Sequence, residues 1–174
     1  MRPFRLRTSR LGVGVWTEAD DDLALGLWGD PEVARYMGGP FTPQQVKERL
    51  ARELRTHAEC GLQYWPLFLL ATGEHVGCCG VAPHDPDGPV YEFGYHLRRA
   101  HWGRGYVREA APAVIDEAFV SLGAAALYAG HHPDNLVSRR VLLDLGFRYT
   151  HDEFYPPTGV VEPCYLLRPA DRRS

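Results

Sequence analysis

Along residues 91–97 the side chains alternate. Tyr91, Phe93, Tyr95 and Leu97 fall on one face of an extended strand, and Glu92, Gly94 and His96 on the other. A few residues later the period changes: Val107, Ala111, Val114, Ile115, Ala118 and Leu122 recur at helical spacing, which predicts a helix with one apolar stripe. Upstream, Val46, Leu50, Leu54 and Ala58 repeat that spacing between a Thr42-Pro43 start and a stop at Gly61. Runs 64–70 and 75–81 read as strands joined by the turn Ala71-Thr72-Gly73-Glu74, with Pro66 predicting a late start or an irregularity in the first. Before them come a short strand over 13–16 and a helix capped by Thr17, its acids in the first turn and Leu23, Leu27 and Trp28 inward. A second short helix starts at Asp30-Pro31.

Downstream, a strand over 125–129 leads into a helix from Asn135 whose stripe is Val137, Val141, Leu142 and Leu145, closed by Gly146. Strands over 147–151 and 164–167 follow, separated by a long loop, 152–163. Pro83 to Gly88 is turn chemistry, and 168–174 reads as a loose tail. Pro112 stands inside the central helix, where it removes a hydrogen bond and predicts a kink.

At 174 residues, 45% hydrophobic and 24% charged, the chain reads as one soluble globular domain over 1–174. A net charge of −3 argues against broad nucleic-acid binding and leaves room for a local basic pocket. Residues 67–70 are apolar but far too short to cross a bilayer, and the first seven residues lack the apolar core of a secretory signal; a cytoplasmic protein with no membrane partner is expected. Cys60, Cys78, Cys79 and Cys164 form no C-x-x-C pair and read as reduced, mostly buried thiols. His131-His132 has no nearby residues to complete a ligand set, so no metal is expected.

Between the alternating strand and the central helix lies Arg98-Arg-Ala-His-Trp-Gly-Arg-Gly-Tyr-Val-Arg108, with four arginines (Arg98, Arg99, Arg104, Arg108) and no acid. Gly103 and Gly105 let the backbone approach a ligand, and the unpaired N–H groups of a helix start favour an anion. The pattern predicts a phosphate site. A Walker loop is absent, and Arg108 stands where a dinucleotide fingerprint has its third glycine.

The stretch Trp102-Gly-Arg-Gly-Tyr-Val-Arg-Glu-Ala110 resembles the pyrophosphate loop of the GNAT superfamily, the acetyl-CoA-dependent N-acyltransferases. It is similar in particular to the RimJ/RimL-like ribosomal-protein N-acetyltransferase branch. Asn135-Leu-Val-Ser138 through Leu145-Gly-Phe147 resembles that branch's second motif, and the two together cover about residues 76–147. The resemblance implies a three-layer α/β fold. Its central, mostly antiparallel mixed sheet would have six to seven strands, with two parallel strands splaying apart either side of the central helix. It implies acetyl-CoA as co-substrate and a primary amine as acceptor. It further implies that the backbone of Tyr95, His96 and Leu97 pairs with the pantetheine arm. Main-chain N–H groups from Trp102, Gly103, Arg104, Gly105, Tyr106 and Val107 would cradle the pyrophosphate, with Arg104, Arg108, Arg139 or Arg140 reaching other phosphates. Asn135 would contact pantetheine, although it is equally placed as an N-cap.

Two departures stand out. Ala100 replaces the Gln or Arg that often opens the loop, and Leu142 falls where many members carry the tyrosine that protonates the leaving thiolate. The branch implies Ser138 as substitute, a poor acid against a thiol of pKa about 8.5. For the base, Glu92 is the first candidate and His96 the second; four strand residues, roughly 13 Å, separate them, so only one touches the amine directly. Trp28, Tyr36 and Met37, with Glu92, are candidate acceptor contacts, and packing explains the first three as well. Glu109 reads as structural.

The resemblance implies a protein N-terminal α-amine as acceptor, whose reference pKa near 8 agrees with a weak base; a small-molecule amine (antibiotic, polyamine or amino-acid derivative) is the alternative. A CoA-binding module without catalysis and a nucleotide-phosphate enzyme are rival readings. The expected assembly is a monomer or homodimer.

Overall fold

The computed structural model describes residues 2–85 and 88–171. Eight strands form one sheet: β1 (Leu6–Arg7), β2 (Leu11–Val13), β3 (Gln63–Leu69), β4 (His75–Pro83), β5 (Val90–Leu97), β6 (Ala126–Gly130), β7 (Arg148–Tyr155) and β8 (Val160–Leu167). Their spatial order is β1-β2-β3-β4-β5-β6-β8-β7. Every neighbouring pair is antiparallel except β5–β6. That parallel pair touches only through Val90, Tyr91 and Glu92 against Ala126, Leu127 and Tyr128. Beyond Glu92 the two strands part, as the resemblance implied.

Five helices cover the sheet: α1 (Asp21–Trp28), α2 (Pro31–Ala34), α3 (Pro43–Cys60), α4 (Tyr106–Val120) and α5 (Leu136–Asp144). They fall into two layers. The alternation of β5 assigns Phe93, with Tyr91, Tyr95 and Leu97 packed beside it, to the larger core, which also holds Val107, Ala111, Val114 and Ile115 of α4 and Val141 and Leu142 of α5. The opposite face carries a second core of Trp16, Leu27, Trp28, Val46, Leu50, Tyr64 and Cys78. A buried Leu or Val contributes roughly 1.5–3 kcal/mol, so burial of Val46 and Leu50 favours docking of α3 on this face.

Local signals were read correctly at several ends. The Thr42 hydroxyl accepts from Gln45 N–H while Gln45 Oε1 accepts from Thr42 N–H, so the start of α3 is capped reciprocally; Gly61 ends it at φ +74°. Thr17 N–H and hydroxyl both donate to Asp20 Oδ2, but the turn they open is a 3-10 turn, Glu18–Asp20, preceding α1.

Other expectations are corrected. The sheet has one strand more than the upper expectation, because Leu6 and Arg7 pair with Val13 and Gly12. The short strand expected at 13–16 comes at Leu11–Val13. Residues 152–163 are a hairpin rather than a loop: β7 and β8 pair from Tyr155↔Val160 back to Arg148↔Leu166. All of β7 is exposed, so it lacks the apolar alternation that marks a strand in sequence. Ala58 is exposed, and the buried residue in that part of α3 is Glu53. The helix α4 runs through Pro112 without interruption. Pro66 stays inside β3, where the β2 ladder has already ended at Leu67, and the register shift falls at Leu67/Phe68. Part of the predicted turn (86–87) and the end of the predicted tail (172–174) lie outside the described residues.

Candidate active site

The loop after β5 begins with a 3-10 turn, Arg99–His101, and passes two left-handed glycines, Gly103 at φ +73° and Gly105 at φ +76°. A Cβ on Gly103 would meet nothing within 4 Å, so conformation rather than space requires glycine there. Gly105 is the N-cap of α4 and has no side chain to accept from the first turn. The opening N–H groups of α4 are therefore free to point at an anion. Tyr106 and Val107 bury their side chains in the main core and offer only backbone. Trp102, half-exposed, donates from Nε1 to the carbonyl of Leu97 at 2.8 Å, pinning the loop to the end of β5.

The loop is braced from behind. Glu109 accepts from the Thr8 hydroxyl at 2.6 Å, the Ser9 hydroxyl at 3.0 Å, Arg10 N–H at 2.7 Å and Arg10 Nε at 2.6 Å. Burial pushes its carboxyl up, and the donors from Thr8, Arg10 and Ser9 together outweigh this and hold it down at about 2. Arg10 also donates to the carbonyl of Arg104 at 3.2 Å. The sequence reading of Glu109 as structural fits this arrangement.

Of the predicted phosphate ligands, one is paired elsewhere and another lies on a different side of α5. Arg108 pairs with Asp144 at 2.5 Å, tying α4 to α5. Arg139 lines a cavity of about 280 Å³ with His131, Leu136, Tyr149 and Tyr165, on the side of α5 that faces the hairpin. Arg104 keeps its side chain exposed at the loop.

The splay beyond Glu92 leaves one side of β5, at Tyr95, His96 and Leu97, without a strand partner. Across this gap stands the start of α5. Asn135 Oδ1 accepts from Ser138 N–H at 3.1 Å, which is the N-cap role. The hydroxyl of Tyr95 donates to Ser138 Oγ at 3.3 Å and so bridges strand and helix. Burial pushes the Tyr95 phenol up to about 12. Leu142 is buried in the main core, with no proton to offer.

On the opposite face of β5, the Tyr64 hydroxyl donates to Glu92 Oε1 at 2.9 Å. Burial, then the adjacent Glu92 charge, drive that phenol well above its usual range, so it remains a donor. Glu92 is half-buried on the face of β5 that carries the second core, and its charge also acts on Tyr155 and Glu162 of the hairpin and on Glu53 of α3. It can accept a proton there.

His96 does not face solvent. Trp28 Nε1 donates to its Nδ1 at 3.3 Å, Cys78 Sγ lies 3.5 Å from the same atom, and Tyr64 packs 5.8 Å away ring to ring. Desolvation, then the nearby Arg49 charge, hold its pKa well below 6.5. With Nδ1 accepting, the ring proton sits on Nε2. His96, the second candidate base, is thus a neutral, partly buried wall residue.

Trp28 is fully buried, packs against Trp16 at 5.2 Å, and carries the Arg49 guanidinium 4.6 Å above its ring. Met37 packs against the same core. Tyr36 lies 5.0 Å from the His132 ring, bridging from the α2 side to the loop before α5. Gly38 abuts Pro157, whose carbonyl would be 2.1 Å from a Cβ there, so this segment closes on the hairpin tip. His131 is buried, its Nδ1 on the His132 carbonyl and its Nε2 on the Tyr165 hydroxyl, which is packing rather than ligation.

Sequence reasoning missed Tyr64 and Arg49. One signal was available for the first: a glycine at strand position 94 marks a close approach, and Tyr64 is what approaches. Arg49 carried no signal, since on α3 it looks like any solvated helix charge.

The model of the acetyltransferase (GNAT) domain matches residues 10–148. An uncharacterized N-acetyltransferase p20 of Bacillus licheniformis is 32% identical over 145 residues, covering 82% of this chain and 82% of that protein. FsC-acetyl coenzyme A-N(2)-transacetylase of Aspergillus fumigatus is 28% identical over 171 residues, covering 90% of this chain and 72% of that one. Among solved structures, RimL, a ribosomal L7/L12 α-N-protein acetyltransferase, has the same fold, with a TM-score of 0.79 at 13% identity, covering 97% of this chain and 95% of that chain.

Proposed function

The chain belongs to the GNAT acetyltransferase family, and from that premise we propose that it moves an acetyl group from acetyl-CoA to a protein N-terminal α-amine by direct attack. The observation that carries this is the placement of Glu92 and Ser138 around the end of the β5–β6 ladder. One is a carboxylate on the acceptor-cleft face of β5, and the other a hydroxyl across the splay.

The pyrophosphate lies on the N–H groups of residues 103–107, at the loop and the start of α4, the Trp102 N–H being taken by the Arg99 carbonyl at 3.2 Å, and the pantetheine arm pairs with the free side of β5 at Tyr95–Leu97. Holding both reactants in this way contributes up to roughly 7–11 kcal/mol. Glu92 takes the proton from the amine, directly or through water. A free N–H of β5 at the splay stabilises the oxyanion. Ser138 faces the departing sulfur. No metal is needed, because the thioester carbon is already electrophilic.

An α-amine of reference pKa near 8 is partly neutral at physiological pH, so one unassisted carboxylate suffices. Tyr36 packs on His132 before α5 and Gly38 on Pro157 at the hairpin tip, so this segment restricts access from the α2 side, which suits the thin end of a chain. A second reading, a small-molecule amine, is favoured by the FsC transacetylase relative, whose identity exceeds that to RimL.

Release of free CoA from acetyl-CoA tests both. A panel of peptides with free N-termini, polyamines, amine-bearing antibiotics and amino-acid derivatives is offered. Turnover on peptides that stops when their α-amine is blocked supports the first reading, turnover on small amines alone supports the second, and binding of acetyl-CoA with turnover on none overturns both.

A further inference from the structure

The leaving group poses a chemical problem for this chain. Leu142 stands where the resemblance puts a tyrosine, and Ser138 by itself is a weak acid. A phenol is nonetheless present, supplied by a different element. Tyr95 lies on the part of β5 that β6 has already left, and its hydroxyl crosses the gap to Ser138 on α5 at 3.3 Å. Its ring is held from behind, 6.3 Å from Phe93, which in turn packs on Phe147 at 5.5 Å. Ser138 is fixed too, because its N–H is tied to Asn135 Oδ1.

The direction of that hydrogen bond matters. Tyr95 donates, so one lone pair of Ser138 Oγ is occupied and its own proton must point elsewhere. We infer that Tyr95 is a positioning residue for acyl transfer: it holds the Ser138 hydroxyl with its proton aimed into the splay at the departing sulfur, and backs that proton with its own.

In the step, the N–C bond forms, the C–S bond breaks and sulfur takes the electron pair. As charge develops on sulfur the Ser138 O–H shortens its hydrogen bond to it and the Tyr95 O–H tightens on Ser138 Oγ; both hydroxyls keep their protons, and the released thiolate takes its proton from solvent. The proton lost by the amine leaves through Glu92, so the net transfer is one proton from amine to thiol. Tyr95, pushed up to about 12, is a weaker acid than a thiol of about 8.5. The pair therefore acts through a hydrogen bond that strengthens as charge develops on sulfur, rather than through proton transfer.

This inference rests on the acetyl-CoA placement above, and its test keeps the two separable. Tyr95→Phe, Ser138→Ala and the double variant are assayed by CoA release from acetyl-CoA, with a free-N-terminus peptide and, separately, with water as the only acceptor. Hydrolysis also expels the thiolate, so it reports on the pair whatever the natural amine is. The assays run at a temperature where circular dichroism shows each variant folded. The expected result is a drop of about tenfold in kcat for Tyr95→Phe in both reactions, less than the roughly 10²–10⁴-fold of a direct proton donor because Tyr95 acts through Ser138. The KM for acetyl-CoA should be unchanged, and the double variant should be no slower than Ser138→Ala. Unchanged kcat, a rise in KM alone, or losses that multiply in the double variant would overturn it. If Tyr95→Phe leaves both reactions intact while peptides are still acetylated, the acyl-transfer reading stands and this inference falls.

Discussion

Tyr64 reaches Glu92 by lying across Gly94. Its hydroxyl donates to Glu92 Oε1 at 2.9 Å, and a Cβ on Gly94 would sit 2.4 Å from the Tyr64 Oη and 2.6 Å from Cζ. Glycine at 94 is thus a condition for the phenol to touch the carboxylate, since the space is already filled by a ring that cannot bend away.

Gly94→Ala is expected to destabilise the protein by about 1–3 kcal/mol, the cost of overpacking a filled site. It should also lower turnover by displacing Tyr64 from Glu92. Tyr64→Phe, which keeps the ring, should cost about 1–3 kcal/mol through the unsatisfied carboxylate oxygen. Urea unfolding of the two variants checks both values. Wild-type stability in Gly94→Ala would show that the ring has room to move.

Glu92→Gln keeps the shape and the hydrogen bond from Tyr64 but cannot take a proton. Its kcat on the accepting amine is expected to fall by about 10²–10⁴-fold. Acetyl-CoA binding, measured by calorimetry, should stay within twofold, because Glu92 faces the acceptor cleft. Full activity in this variant would remove Glu92 as base.

Gly103→Ala and Gly105→Ala force side chains onto residues at φ +73° and +76°. The left-handed conformation costs about 1–2 kcal/mol for a residue with a Cβ. Relief of that strain should move the loop N–H groups and weaken acetyl-CoA binding by about tenfold. Calorimetric titration with acetyl-CoA measures this, and unchanged affinity in both variants would place the pyrophosphate elsewhere.

Glu109 links stability to pH. Its folded pKa is held at about 2, below the ordinary value of 4.5. A depressed carboxylate stabilises the fold fully above about pH 4.5, and that stabilisation is lost as pH falls toward 2. The brace should contribute about 2 kcal/mol at pH 7, allowing for the half-exposed Arg10 partner. Glu109→Gln should therefore unfold at lower urea than wild type at pH 7, with the gap narrowing as pH drops through that window. A gap that persists unchanged at pH 2.5 would show that packing, and not charge, is what Glu109 provides.

Some of this was legible in the chain. The alternation of 91–97 and the helical stripe from Val107 set which face of each element is buried, because both periods follow from backbone geometry alone. The Gly103 and Gly105 pair marked the loop, because a left-handed backbone needs glycine wherever it occurs. Caps at Thr42 and Gly61 were readable for the same local reason.

The rest depended on contacts between distant residues. His96 became a neutral wall residue because Trp28 and Tyr64 cover it, residues 68 and 32 positions away, and no local pattern encodes that cover. β7 is exposed throughout, and its identity as a strand comes from the partner β8 rather than from its own side chains. Arg108 and Arg139 looked alike as cations in sequence, and only the packing of α5 gave one to Asp144 and turned the other toward the hairpin. The sequence by itself determined the central strand and helix, their buried faces and the left-handed glycine loop between them. Only the tertiary structure decided which polar groups meet, since pairs such as Tyr64–Glu92 and Tyr95–Ser138 form across 28 and 43 residues and exist once the sheet has brought them together.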